Sequence, residues 1–168
     1  RPKTLDDYIG QKHLVGEGAV LRKMIDAGRI SSFILWGPPG CGKTSLAKVI
    51  SETTKYKFTK LNAVTSGVGD IKKAIEEADN PLLNPSGKCI LFIDEIHRFN
   101  KLQQDALLPY VEDGTVILIG ATTENPYFEV NKALISRSMV IKLEPLTKHD
   151  IFKVLKNALS NKEGLASY

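Results

Sequence analysis

"SFILWGPPGCGKTSLAKVI", residues 32–50, sets the reading of the whole chain. Its first five residues form a short apolar, β-rich run, the pattern of a buried strand. Its last part carries Leu46, Val49 and Ile50 at helical spacing. Between them, Gly37, Gly42, Lys43 and Thr44 fit the spacing G-x-x-x-x-G-K-[ST]. Glycines in such a loop let backbone N–H groups wrap a phosphate, and the following helix points its positive end at the same anion. Lys43 is placed to reach the β- and γ-phosphates, and Thr44 to offer a hydroxyl to Mg2+. A strand before and a helix after are the context the motif requires. Gly37, Pro38, Pro39, Gly40, Cys41, Gly42, Lys43, Thr44 and Ser45 are therefore the expected nucleotide-binding loop, with ATP and Mg2+ as cofactors. A helix N-terminus lowers a thiol pKa, but Cys41 reads more simply as a small neutral loop residue.

A second stretch, "ILFIDEIHRF" (90–99), runs four apolar residues straight into Asp94 and Glu95. Desolvation and mutual repulsion both oppose two carboxylates at the end of a core strand, unless a cation or a reaction needs them there. The phosphate loop supplies the reason. Asp94 is expected to hold the Mg2+ hydration shell opposite Thr44, making these two the metal residues. Glu95, one residue on, is expected to orient or deprotonate an attacking water.

The rest of the chain alternates strands and helices. Strands are expected at 32–36, 57–63, 90–93, 115–122 and 139–144, and helices at 20–28, 43–53, around Ile71–Ala78, at 101–111, 131–137 and 147–160. Pro109 is expected to kink the helix that contains it. Such alternation implies an α/β fold with a mainly parallel five-stranded sheet, whose ligands bind outside the carboxyl ends of the strands. Asp94–Glu95 and Thr122–Thr123 both fall at such ends.

Composition narrows the class. The chain has 168 residues, 42% hydrophobic and 25% charged, which suits one globular domain with a sizeable core. No apolar run is long enough for a membrane helix, and no membrane partner is expected. Two cysteines give no disulfide framework and fit a reducing compartment. The net charge of +4 is compatible with a nucleic-acid partner without showing one. The first residue is Arg1, so the chain reads as an excised piece of a longer protein.

"GPPGCGKT", "ILFIDEIH", "GATTENP" and "LISRS", in this order, resemble the AAA+ ATPases of the clamp-loader and Holliday-junction-motor branch. "DEIHRFNKLQQDALLP" and "VEDGTVILIGATTENPYFEVNKALISR" resemble, more narrowly, the replication-associated recombination protein A family and its eukaryotic relative, the Werner helicase-interacting protein. The resemblance implies a P-loop NTPase three-layer sandwich. Residues 1–145 would form the nucleotide-binding domain and 146–168 the start of a helical lid.

It also implies roles for single residues. Tyr8, Ile9 and Gly10 would line the adenine. Thr123 would be the polar sensor touching the γ-phosphate or the water, with Thr122 the near alternative. Asn62 either holds Glu95 back until DNA binds or caps a strand. Arg137 would be an arginine finger acting on a neighbouring subunit's ATP. His97, without a second histidine at ligand spacing, reads as structural or hydrogen-bonding. Arg98, Lys101, Gln103 and Gln104 either face a DNA pore or lie on a solvated helix face.

The implied activity is ATP hydrolysis, stimulated by DNA in a full-length homo-oligomer. The implied partners are single-stranded or forked DNA together with replication and repair proteins. The implied location is the cytoplasm, nucleoid-associated, for a bacterial protein, or the nucleus for a eukaryotic one. Two other functions remain open: a nucleotide-gated module that recruits replication partners, and a protein-remodelling ATPase. The small, polar "AVTSGVGD" (63–70) lacks the aromatic pore loop that remodelling would favour.

Overall fold

The computed structural model describes residues 23, 24, 27, 30–39 and 42–143. The expected first helix falls mostly outside these residues. Tyr8, Ile9, Gly10, Gly40, Cys41, the final helix and the lid lie wholly outside them.

Among the described residues five strands form one sheet: β1 (Phe33–Trp36), β2 (Lys57–Asn62), β3 (Cys89–Asp94), β4 (Ile117–Thr122) and β5 (Met139–Lys142). Their order is β2-β3-β4-β1-β5, and every neighbouring pair is parallel. The helices among the described residues are α1 (Lys43–Thr54), α2 (Val68–Ala78), α3 (Lys101–Glu112), α4 (Pro126–Glu129) and α5 (Lys132–Ser136). A 3-10 turn, Ile96–Arg98, follows β3.

Alternation along the strands builds a core on each face of the sheet. Phe33 and Leu35 of β1, Ile90 and Phe92 of β3, and Ile119 and Ala121 of β4 pack with Leu46, Ala47, Val49 and Ile50 of α1. Ile34, Leu91, Ile93 and Leu118 face the other way, toward Ile71 and Ile75 of α2, Leu107 of α3 and Leu134 of α5. This is the expected three-layer arrangement. Burying each such side chain contributes roughly 1.5–3 kcal/mol relative to exposure, which explains why the strands read as unbroken apolar runs rather than as alternating ones.

Two local expectations change. The helix expected at 131–137 is preceded by a separate short one, α4, so two helices stand there. Asn125 and Asn131 each accept a backbone N–H two residues on, from Tyr127 and Ala133, and so start two helices where periodicity suggested one. Gln103 and Gln104 are buried, at 6% and 7% exposure, and line neither a pore nor a solvated face. Gln103 closes a capping box with Asn100: its Oε1 accepts the Asn100 N–H and its own N–H reaches Asn100 Oδ1, both at 2.9 Å. Its Nε2 donates to the carbonyls of Ala63 (2.9 Å) and Ser66 (2.7 Å), pinning the loop after β2 to α3. Arg98 and Lys101 are exposed, and Lys101 pairs with Asp105 one turn along the helix. Helix α3 continues past Pro109 to Glu112.

Gly120 in the middle of β4 is a close-approach glycine. A Cβ there would lie 2.6 Å from Ile96 Cδ1 and 3.2 Å from Ile96 Cγ2. Ile96 is fully buried and anchors the 3-10 turn to the sheet. Gly120→Ala is expected to push that turn outward and to cost about 1–3 kcal/mol by overpacking. Urea unfolding of the variant checks this; an unchanged midpoint would show that the turn yields freely.

Candidate nucleotide site

All five strands run parallel, so their carboxyl ends share one edge of the sheet. Pairing puts Trp36 beside Thr122, Ile93 beside Gly120, and Asn62 beside Asp94. The phosphate loop leaves β1 at this edge, and Asp94 and Glu95 leave β3 there. The two segments are separated only by β4, a span of roughly 10 Å at the usual interstrand spacing.

The described part of the loop is held at both ends. The Gly37 N–H donates to the Thr122 carbonyl (3.2 Å), tying the loop's start to β4. At its other end Gly42 has φ 88° and ψ 26°, a left-handed conformation that glycine adopts without steric cost. The chain then enters α1, where the Leu46 N–H donates to the Gly42 carbonyl. Lys43 Nζ donates to the carbonyls of Gly37 (2.8 Å) and Pro38 (3.1 Å), so the lysine reaches back over its own loop. Pro38 and Pro39 are exposed, while Thr44 and Ser45 are half-buried at the first turn of α1.

Asp94 is half-buried at the end of β3, and its Oδ1 accepts the Glu95 N–H at 3.0 Å. Among the described residues no ion pair engages it. Glu95 has φ 57° and ψ 41°. A non-glycine residue in this region stores about 1–3 kcal/mol of strain, typical of sites where the chain re-aims a side chain. Here the strained turn sends the Asp94 and Glu95 side chains to different places from adjacent positions.

The two threonines at the end of β4 differ. Thr122 is buried, and its Oγ1 lies 2.7 Å from His97 Nδ1 and accepts the Glu124 N–H at 3.0 Å. Thr123 is exposed just beyond the strand. Asn62 Oδ1 accepts the Val64 N–H (2.8 Å), closing the turn after β2. Arg137 stands at the end of α5 with Nη2 3.3 Å from Glu112 Oε1, an ion pair with both side chains about half exposed (55% and 40%). Such a pair contributes about 0–1 kcal/mol, so the guanidinium is cheaply released. Cys89 is buried on β3 among apolar groups; burial pushes its thiol pKa up, against a weaker hydrogen bond with Thr59. It is packing, not a reactive group.

Hard oxygen donors, Thr44 and Asp94, suit Mg2+, which is held by one or two protein oxygens together with substrate phosphates. Their placement on β1–α1 and β3 fits that group.

Residues 33–145 match the family model described as "ATPase family associated with various cellular activities (AAA)". The chain belongs to this AAA family. It is 54% identical, over 98% of its length, to replication-associated recombination protein A of Haemophilus influenzae, and covers 37% of that relative. It is 52% identical to ATPase WRNIP1 of Dictyostelium discoideum, over 95% of this chain and 18% of that one. The kinship read from "DEIHRFNKLQQDALLP" thus extends over nearly the whole chain, while the chain spans little more than a third of its bacterial relatives. Among solved structures it is similar to the Thermotoga maritima RuvB Holliday junction branch migration motor. The TM-score there is 0.78 at 30% identity, over 95% of this chain and 54% of that one. These comparisons show the AAA fold in this chain. Sequence reading passed over Gly120 and left His97 and Gln103 without a partner. An isolated glycine inside the apolar run "VILIGA" was a signal of close backbone approach.

Proposed function

We propose that residues 1–145 bind ATP with Mg2+ and hydrolyse it, and that this drives a DNA-dependent ATPase working at stalled or gapped replication forks. The convergence of the phosphate loop, Asp94–Glu95 and the β4 end on one sheet edge carries the reading. Relatives named for replication and recombination supply its DNA part. The loop from Gly37 to Ser45 holds the phosphates, with Gly40 and Cys41 in its middle, and Lys43 attracts the β- and γ-oxygens. Thr44 and Asp94 would hold the Mg2+, which when bound neutralises charge on the phosphates. Glu95 orients the attacking water and takes its proton. Thr123 would be the polar sensor of the γ-phosphate. Tyr8, Ile9 and Gly10 would line the base, and Arg137 would serve a neighbouring subunit.

Residues 146–168 would begin the helical lid that closes over the nucleotide. The working form would be a homo-oligomer with single-stranded or forked DNA and with replication and repair proteins as partners. Its place would be the cytoplasm, at the nucleoid, or the nucleus. No helix among the described residues is long and apolar enough to cross a membrane. The paired Asp94 and Glu95 favour turnover over a pure recruitment switch, which has no use for a base.

ATPase rates of a chain of the relatives' full length separate these readings, measured without DNA and with single strands, blunt duplex and forks. Stimulation by single strands or forks is expected. Equal rates under all four conditions would remove DNA from the function.

A further inference from the structure

The chain's only strained carboxylate, among the described residues, is clamped to β4 by the turn that follows it. Ile96 packs over Gly120, and the Arg98 N–H closes the turn on the Glu95 carbonyl (2.9 Å). His97, with a side chain only 11% exposed, then sits between two groups. Its Nδ1 is 2.7 Å from Thr122 Oγ1, and its Nε2 is 3.5 Å from Glu95 Oε2.

Thr122 Oγ1 accepts the Glu124 N–H and keeps a second lone pair, but only with His97 Nδ1 as acceptor does its buried hydroxyl proton find a partner among the described residues, and this favours that tautomer. A neutral imidazole that accepts at Nδ1 carries its proton on Nε2. That nitrogen stands 3.5 Å from Glu95 Oε2. At 3.5 Å it is an electrostatic hold rather than a tight hydrogen bond, and it leaves the carboxylate free to accept a proton from water. Thr122 also touches the other half of the site, because its carbonyl accepts the Gly37 N–H at the start of the phosphate loop. One residue therefore ties the loop through its backbone and the base through its side chain.

We propose that His97 is a positioning residue for Glu95. Thr122 sets its tautomer, and its Nε2–H aims the carboxylate, so that base orientation is locked to the β4 end that also holds the phosphate loop. This rests on Glu95 being the base of ATP hydrolysis. A misaimed base lowers the chemical step by about 10- to 100-fold while leaving nucleotide binding alone.

The test uses a chain of the relatives' full length and reads ATP affinity and single-turnover hydrolysis separately. His97→Gln keeps a donor near the Nε2 position, whereas His97→Asn keeps a polar group near Nδ1 only. The glutamine variant should retain most hydrolysis. The asparagine variant should lose about 10- to 100-fold at unchanged ATP affinity. Thr122→Val, which leaves the carbonyl to Gly37 in place, should lose a similar factor in the parent, and nothing further in the His97→Gln background.

Equal activity of the two His97 variants, either both high or both low, would overturn the proposal. So would a Thr122→Val loss that persists undiminished in His97→Gln. Glu95→Gln, run alongside, keeps the two ideas apart. If it hydrolyses normally the base assignment itself fails. If it is dead while His97→Asn is fully active, only the positioning role fails.

Discussion

Glu95→Gln is expected to bind ATP and Mg2+ as the parent does and to lose turnover by about 10²–10⁴-fold, the usual contribution of a positioned general base. The amide keeps the size and shape of the carboxylate and can still accept the His97 Nε2–H, so the turn that holds it has no reason to move. It cannot take a proton from water. Asp94, whose Oδ1 accepts the backbone N–H of residue 95, is untouched by the change, since that bond is to the main chain. Affinity measured by calorimetry and single-turnover hydrolysis on the same preparation provide the check. Hydrolysis within a few-fold of the parent would take Glu95 out of the mechanism. Lys43→Ala should behave differently. It removes the cation proposed to attract the phosphates, so nucleotide affinity itself should fall.

Arg137→Ala should leave ATP binding intact and slow hydrolysis by about 10³-fold or more, the range for an arginine finger. Within its own chain Arg137 meets Glu112 on the surface beyond α5, in a pair too exposed to stabilise the fold much. A stability change is therefore expected to be small, and thermal melting checks it. Mixing decides whether the residue acts across subunits. Arg137→Ala and Lys43→Ala chains of the relatives' full length, each inactive alone, are combined and shown to co-assemble. Recovery of activity means that an intact phosphate loop on one subunit has met an intact arginine on the next. No recovery in mixed oligomers would mean that Arg137 works within its own subunit or only as the partner of Glu112.

The sequence by itself determined the parts whose physics is local. A phosphate loop needs glycines, a lysine and a hydroxyl at fixed offsets between a strand and a helix, and "GPPGCGKTS" carries all of them within nine residues. Apolar runs such as "ILFI" announced buried strands, and the Asp94–Glu95 pair announced a site at a strand end. All five strands lie at the expected places to within a few residues. What only the tertiary structure decided depends on which strands become neighbours. Inserting β4 between β1 and β3 brings Thr122 against His97, 25 residues away, and Gly120 beneath Ile96. The packing of α3 on the turn after β2 buries Gln103 against Ala63, 40 residues away, where the sequence left it facing either a DNA pore or solvent. Period and propensity report how one segment meets its own burial, but strand order and the choice of polar partner are settled by long-range packing, in which each buried donor must find an acceptor. His97 was therefore legible as a hydrogen-bonding residue, while the two groups it joins were set by the fold.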